Sequence, residues 1–239
     1  MGLPPGLDPE ILESTSHEGP LHHLVMDATK SDEVEASFLD AMRILGTRLD
    51  ILVHVAGMSG RKWGDGPLHE CTDEGWSQVF AANALSAFLT NRAAVRIMKS
   101  QVPDDHGLRG TILNIGSVLS ESPAPEYFST IAYASSKGAV RSLTIASASR
   151  YAADKIRFNL IEPGLIETPM AARAIHDPRI SSYLATKQPI REGPGLATDV
   201  AEAALYLCEP ASCFVTGIVL PVDGGWRISD GQIGNGESA

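Results

Sequence analysis

The stretch Asp50-Ile-Leu-Val-His-Val-Ala-Gly57 decides the fold class of this chain. Its apolar residues run almost without interruption, which is typical of a strand buried on both faces of a parallel sheet. Comparable apolar runs lie at Leu21–Met26, Thr111–Ile115, Ile156–Ile161 and Ile218–Val222. The sequence therefore predicts a sheet of parallel strands.

Longer segments with helical periodicity separate these runs. The predicted helices extend from Ser31 or Asp32, either of which could cap the first of them, to Leu45; from Asp73 to about Lys99; from about Ile131 to Ala152; and from Asp199 to Cys208. The segments between Ser117 and Thr130 and between Leu165 and Leu196 are predicted to be loops. Strands that alternate with helices indicate an α/β fold with a doubly wound parallel sheet.

The composition is that of an acidic globular protein. The 239 residues are 44% hydrophobic and 20% charged, which predicts a single domain over residues 1–239 with a loose tail at 229–239. A net charge of −10 without runs of Lys or Arg argues against binding to nucleic acid or to an anionic membrane. Three cysteines without a CxxC pair argue against a disulfide framework or a metal site. With neither a signal-peptide pattern nor an apolar run of about 18 residues, the chain is expected to be cytoplasmic.

The segment Tyr133-Ala-Ser-Ser-Lys137 carries the clearest chemistry. At the start of a predicted helix, side chains four positions apart project from the same face. A phenol with a pKa near ~10 is a poor base at neutral pH, and a neighbouring ammonium group is expected to lower that pKa. The pair therefore predicts a tyrosine that acts in acid/base catalysis, although such spacing also occurs by chance on helix surfaces.

Other segments give this pair a context. Asn114-Ile-Gly-Ser117 ends a strand in a hydroxyl group, at the edge where open α/β sheets bind ligands. The further segments are Asp27 after the first predicted strand, the Asp50–Gly57 stretch, Asn83, the run from Pro163-Gly164 to Thr168, and Val222-Asp-Gly-Gly225. In this order they resemble the classical short-chain dehydrogenases/reductases, and the resemblance extends from about Leu21 to Gly225.

The resemblance implies a Rossmann-like NAD(P)-dependent oxidoreductase that interconverts a carbonyl and a secondary alcohol of a small molecule. It implies catalytic roles for Asn83, Ser117, Tyr133 and Lys137. The cofactor, NAD or NADP, would contact Asp27, Ala56, Gly57, Tyr133, Lys137, Pro163, Gly164, Ile166 and Thr168. In the family, the helices that match residues 73–99 and 131–152 build a homodimer or homotetramer, so the same assembly is expected here.

The N-terminal part departs from the family pattern. The family begins with a βαβ unit of roughly 30 residues or more, whose glycine-rich turn holds the cofactor pyrophosphate. Only twenty residues precede Leu21, and no such turn occurs in the chain. Residues 1–20 are therefore interpreted as a remnant of that unit, and the chain as an N-terminally truncated member that binds the cofactor weakly. An incomplete gene model, a splice form, and a sheet in which Leu21–Met26 pairs directly with Ile51–Val55 are the alternatives.

Two smaller departures concern the site. His54-Val55 stands where the family usually has two asparagines, and His54 could replace one of them as a hydrogen-bond donor. Ser117 lies 16 positions before Tyr133, which is longer than usual, and Ser120 at 13 positions is the rival for the substrate-binding hydroxyl. A non-catalytic protein that acts as an oligomerisation or regulatory partner is the alternative function.

Overall fold

Four parallel strands form the centre of the fold: β1 (Ile51–His54), β2 (Gly110–Ile115), β3 (Ile156–Pro163) and β4 (Val219–Val222). They lie in sequence order across the sheet, and each neighbouring pair is parallel. This arrangement is taken from a computed structural model, which describes residues 21–46 and 48–230. The predicted parallel sheet is therefore confirmed, with each of these strands within a few residues of its expected position.

Helices follow each strand except the last. Their bounds are α1 (Ser31–Leu45), α2 (Asp73–Phe80), α3 (Ser86–Ser100), α4 (Ile131–Tyr151), α5 (Ala172–Ile175), α6 (Pro178–Lys187) and α7 (Ala197–Cys208). Short 3-10 turns lie at Arg61–Trp63, Val118–Ser120, Pro169–Ala171 and Pro210–Ser212. Within these residues no helix has the length and apolar character that crossing a membrane requires.

The helices cover both faces of the sheet. Buried Ile112 and Phe158 pack with Met98 of α3 and residues of α4 on one face. Leu113 and Ile161 pack against Leu207 of α7 on the other. Ile112 and Leu113 are neighbours on β2 and therefore point to opposite faces of the sheet. Both are buried, which requires helices on both sides of the sheet. The doubly wound arrangement is confirmed.

The predicted strand at Leu21–Met26 is wrong. These residues adopt no regular structure, and 74% of Val25 is exposed. Within the described residues β1 pairs with β2 alone, so direct pairing of Leu21–Met26 with Ile51–Val55 is also wrong. An apolar run becomes a strand only where a neighbouring strand accepts its backbone hydrogen bonds, and among residues 21–46 and 48–230 no strand pairs with this run. The exposed apolar edge expected at Ile51–Val55 is present, since Ile51, Val53 and Val55 are all exposed.

Three predicted helical features need correction. Neither Ser31 nor Asp32 caps α1, because the helix already includes both residues and no side chain caps its start. The helix expected from Asp73 to Lys99 is interrupted by a π-helical turn at Ala81–Leu85. The segment from Leu165 to Leu196, which was expected to be a loop, contains α5 and α6. These helices are too short for a helical pattern of apolar residues to be recognised in the sequence.

The two ends of the chain are only partly described. The predicted remnant at residues 1–20 lies outside the described residues, as do positions 231–239 of the predicted tail. The first residue of that tail is anchored, because Ser229 Oγ donates to the Thr186 carbonyl at 2.7 Å.

Candidate active site

A cleft of about 290 Å³ opens at the carboxyl ends of β1, β2 and β3. Eight of the site residues expected from the sequence line it: Gly57, Ser117, Tyr133, Lys137, Pro163, Gly164, Ile166 and Thr168. Asn83 lies behind Gly57. Asp27 and Ala56 are not among the lining residues, and the Asp27 carboxylate instead accepts hydrogen bonds from the backbone and hydroxyl of Thr29, at 2.9 and 2.6 Å.

Tyr133 is placed by the start of α4. The backbone amides of Ala132 and Tyr133 each donate to the buried carboxylate of Asp65 at 3.0 Å, so this carboxylate satisfies the free amides of the helix N-terminus. Asp65 is a positioning residue that the sequence analysis missed. A lone acidic residue between Gly64 and Gly66 gives no local signal of a partner more than sixty positions away.

The pKa of Tyr133 depends on its surroundings in the cleft. Burial raises the pKa of the Tyr133 hydroxyl, and a hydrogen bond with the Ser117 side chain lowers it by a smaller amount. Lys137 Nζ is 5.8 Å from the centroid of the Tyr133 ring and does not contribute to this shift. Burial of the phenolate is the largest influence on this pKa, and the activation of the phenol by the lysine stays a prediction.

Lys137 is buried and fixed. Its Nζ donates to the carbonyl of Ile115, the last residue of β2, at 2.9 Å. Burial lowers the pKa of the Lys137 ammonium from 10.5 to about 8. The group thus remains mostly protonated at neutral pH while it is held against the end of the central strand.

Asn83 occupies the π-helical turn between α2 and α3. Its Oδ1 accepts from the amide of Met58 at 2.7 Å, and its Nδ2 donates to Ser136 Oγ at 2.9 Å and to the Met58 carbonyl at 3.2 Å. These bonds tie the chain after β1 to α4. The helix changes to a π turn around Asn83, and a π turn of this kind is frequent at functional sites.

A side chain at Gly57 would press against two neighbouring polar side chains. A Cβ there would lie 3.0 Å from Asn83 Oδ1 and 3.3 Å from Lys137 Nζ. At Gly164, by contrast, a Cβ would lie 2.6 Å from Gln188 Oε1, so packing within the fold explains that glycine. Gly57 also lines the cleft.

The two rival serines have different surroundings. Ser117 lines the cleft beside Tyr133, whereas Ser120 is not a lining residue. Ser120 Oγ donates at 2.6 Å to Glu162, a fully buried carboxylate whose pKa is raised by burial. Arg141 and Arg227 each approach Glu162 at 3.5 Å. The hydroxyl of Ser120 is thus committed to a buried ionic cluster behind the cleft.

His54 links β1 to the first turns of α3. Its Nδ1 lies 3.0 Å from Thr90 Oγ1 and its Nε2 lies 3.3 Å from Ser86 Oγ. Burial, and to a smaller extent the charge of Lys137, lowers the pKa of His54 from 6.5 to about 4. Neutral His54 therefore fills a polar position in the core, next to the π turn.

This pKa shift predicts a pH-dependent stability. Between pH 6.5 and about 4 the unfolded chain binds a proton at His54 that the folded chain does not, so acidification favours unfolding. The contribution of His54 to the free energy of unfolding should fall by about 3 kcal/mol across this window. Urea unfolding of the wild type and His54→Gln at several pH values measures it, because other groups affect both proteins alike. Parallel pH profiles for the two proteins would contradict the assignment.

Apolar and aromatic residues form the outer wall of the cleft. Trp226 is buried, its ring meets Phe128 and Tyr183 at centroid distances of 5.7 and 5.8 Å, and its Nε1 donates to the Ser122 carbonyl at 3.1 Å. This wall joins the segment after β4 to the loop after β2 and to α6. It shields the region in front of Tyr133 from water on one side.

The sequence matches a known protein family over most of its length. The family is described as enoyl-(acyl carrier protein) reductase, and the match covers residues 8–227. The chain is 35% identical over 203 residues to the inactive 2-(S)-hydroxypropyl-CoM dehydrogenase 2 of Xanthobacter autotrophicus, covering 83% of this chain and 82% of that protein. It is 32% identical to a cyclopentanol dehydrogenase of Comamonas sp., covering 90% of this chain and 80% of that protein.

Solved structures of dehydrogenases are also similar to this chain. A short-chain type dehydrogenase/reductase from Mycobacterium ulcerans superposes with a TM-score of 0.81 at 28% identity, covering 92% of this chain and 75% of that one. A gluconate 5-dehydrogenase from Burkholderia cenocepacia, solved in complex with NADP and tartrate, gives a TM-score of 0.75 at 31% identity, covering 85% and 74% of the two chains.

Proposed function

This chain belongs to the short-chain dehydrogenase/reductase family, and we propose that it interconverts a carbonyl compound and a secondary alcohol with NAD or NADP. One observation carries the proposal: Ser117, Tyr133 and Lys137 line one cleft, with Asn83 directly behind it. Tyr133 and Lys137 share one helix, whereas Asn83 and Ser117 come from two other parts of the chain, so the convergence of these three parts is not a consequence of local sequence.

The proton chemistry is assigned to Tyr133. Because burial raises the pKa of its hydroxyl, Tyr133 is protonated at neutral pH and is able to donate that proton to a carbonyl oxygen. Ser117, which hydrogen-bonds Tyr133, would hold the same oxygen. Lys137 and Asn83 would orient the site, the first through the Ile115 carbonyl and the second through Met58 and Ser136.

The residues around Gly57 suit a nicotinamide cofactor. The absence of a side chain at Gly57 leaves room beside Lys137, whose ammonium would bind the ribose hydroxyls. Pro163, Gly164, Ile166 and Thr168 line the adjoining wall and would contact the nicotinamide ring. The cofactor would supply or accept the hydride. Asp27 and Ala56 are proposed to contact its adenosine end, and NAD and NADP both remain candidates.

The proposed oligomeric assembly is supported by exposed apolar side chains on two helices. The helices at residues 73–99 and 131–152 expose apolar side chains that a homodimer or homotetramer would bury, among them Trp76, Phe88 and Ile145. We propose a single-domain, cytoplasmic protein whose partner is a small-molecule substrate, without nucleic acid or membrane. Among the described residues no group of three acidic, histidine or cysteine side chains is arranged to hold a metal ion.

The proposed cofactor site is tested by binding. Titration of the purified chain with NADH, NADPH and reduced nicotinamide mononucleotide, followed by nicotinamide fluorescence, should show saturable binding. Gly57→Ala places a methyl group against Asn83 and Lys137 and should weaken binding at least about tenfold, equivalent to about 1.4 kcal/mol. Gly138→Ala is the matched control, because a Cβ at Gly138 meets no atom within 4 Å. Absence of saturable binding for all three compounds would overturn the proposal.

A further inference from the structure

Two arginines face the cleft on its substrate side. Arg61 begins the 3-10 turn after β1, and Arg173 lies in α5. Both line the same cleft as Ser117 and Tyr133, together with apolar residues such as Phe128 and Trp226. Neither arginine takes part in the proton chemistry or in the proposed cofactor contacts, so their presence there needs a separate explanation.

Arg61 is held in place. Its Nη2 donates to the carbonyl of Tyr127 at 2.8 Å, and Tyr127 packs within the apolar cluster of the outer wall. The nearest acidic residue that acts on it, Asp65, already accepts the amides of Ala132 and Tyr133. The guanidinium is therefore positioned by neutral partners and keeps free donors toward the cleft.

Arg173 has no partner of its own. Within residues 21–46 and 48–230 it makes neither an ion pair nor a hydrogen bond. Its charge nonetheless acts on Arg61: burial, and then the charge of Arg173, lower the pKa of the Arg61 guanidinium. Two like charges thus line the same cleft, and an anion bound between them would offset their mutual repulsion.

The rest of the protein shows how unusual this pair is. In this acidic chain most described arginines lie within 4.0 Å of a carboxylate: Arg43, Arg48, Arg92, Arg96, Arg141, Arg150, Arg179, Arg191 and Arg227. Arg109 and Arg157 also lack such a partner: Arg109 donates to the Lys99 carbonyl at 3.4 Å, and Arg157 is buried against the carbonyls of Leu207 and Val215. Arg61 and Arg173 instead share a cleft, and a planar guanidinium pair is well suited to a carboxylate or sulfonate.

We propose that Arg61 and Arg173 form an anion subsite, and that the substrate is a small ketone or secondary alcohol bearing a carboxylate or sulfonate group. The proposal rests on the proposed oxidoreductase function. The reacting oxygen would lie at Tyr133, the carbon skeleton against the apolar wall, and the anionic group at the two guanidiniums. The subsite would select against uncharged analogues, since they leave both arginines without a counter-charge.

The first test measures binding without cofactor and without turnover. Calorimetric titration of the purified chain compares levulinate with its uncharged amide, 4-oxopentanamide. Levulinate should bind at least about tenfold more tightly, because its carboxylate accepts charge-assisted hydrogen bonds from the arginines that are stronger than those a neutral amide accepts. Arg61→Gln and Arg173→Gln should each remove most of this preference. Arg179→Gln is the matched control, because Arg179 pairs with Asp177 and does not line the cleft.

The second test separates this proposal from the proposed function. The ratio of kcat/KM for levulinate to that for 4-oxopentanamide should fall at least about tenfold in either cleft variant and stay unchanged in Arg179→Gln. Reduction of both ketones at equal efficiency would overturn the anion subsite while the oxidoreductase function stands. If neither ketone is reduced, the calorimetric preference decides alone: its presence and its loss in the variants support the subsite, and equal or absent binding of the two compounds overturns it.

Discussion

Replacing Tyr133 by phenylalanine is expected to lower kcat for ketone reduction by at least about 1,000-fold, within the range attributed to a positioned general acid. The variant removes one hydroxyl and keeps the ring, so the start of α4 and its bonds to Asp65 should stay intact. Steady-state assays with NADH and NADPH measure the loss. Thermal unfolding and nicotinamide binding serve as the controls, and both should stay close to the wild-type values.

The raised pKa of Tyr133 also predicts different pH dependences for carbonyl reduction and alcohol oxidation. Reduction needs the protonated hydroxyl, which is the form present at neutral pH. Alcohol oxidation needs the deprotonated form, so its rate should rise as the pH increases, over a range in which reduction does not. Turnover by Tyr133→Phe at the wild-type rate would show that another group transfers the proton.

The second large effect is expected at Ser117. Ser117→Ala removes the hydroxyl that hydrogen-bonds Tyr133 in the cleft and should lower kcat by about 100-fold, as the loss of one oxyanion-type donor does. Ser120→Ala should leave kcat near the wild-type value. It should instead lower the free energy of unfolding by about 1–3 kcal/mol, because buried Glu162 loses its 2.6 Å donor.

This pair of variants shows whether Ser117 or Ser120, both in the segment after β2, binds the substrate oxygen. The kcat and the free energy of unfolding would be measured for both variants. Ser117→Ala is expected to change mainly kcat, and Ser120→Ala mainly the free energy of unfolding. A larger kinetic loss in Ser120→Ala than in Ser117→Ala would mean that the longer spacing before Tyr133 changes which serine faces the substrate.

The central sheet could be predicted because its strands are recognisable one at a time. Apolar runs mark all four strands, and in β2 and β3 they reflect burial on both faces of the sheet. The run at Leu21–Met26 has the same character and is not a strand. Its sequence satisfies the local requirement, but no strand in the part of the chain that the structure describes pairs with it, and pairing is a property of the whole fold.

The proximity of Tyr133 and Lys137 could be predicted from local spacing, and the contacts that support this pair could not. Tyr133 and Lys137 are one helical turn apart, so the sequence alone places them together. Asp65 reaches the same helix from a distant loop, and the Ser120–Glu162 bond joins two different strand ends. Such contacts depend on loop paths that composition and periodicity do not encode. The burial that raises the pKa of Tyr133 is likewise set by the assembled cleft.

The proposal that this chain is a nicotinamide-dependent oxidoreductase is tested most directly by isotope transfer. NADH and NADPH deuterated at the reactive carbon of the nicotinamide would be incubated with the purified chain and with cyclopentanone or levulinate, and the alcohol product analysed by mass spectrometry. Deuterium should appear on the carbinol carbon with the wild type and be lost in Tyr133→Phe. Absence of deuterated alcohol with the wild type and both coenzymes would contradict the account and favour a non-catalytic role for the chain.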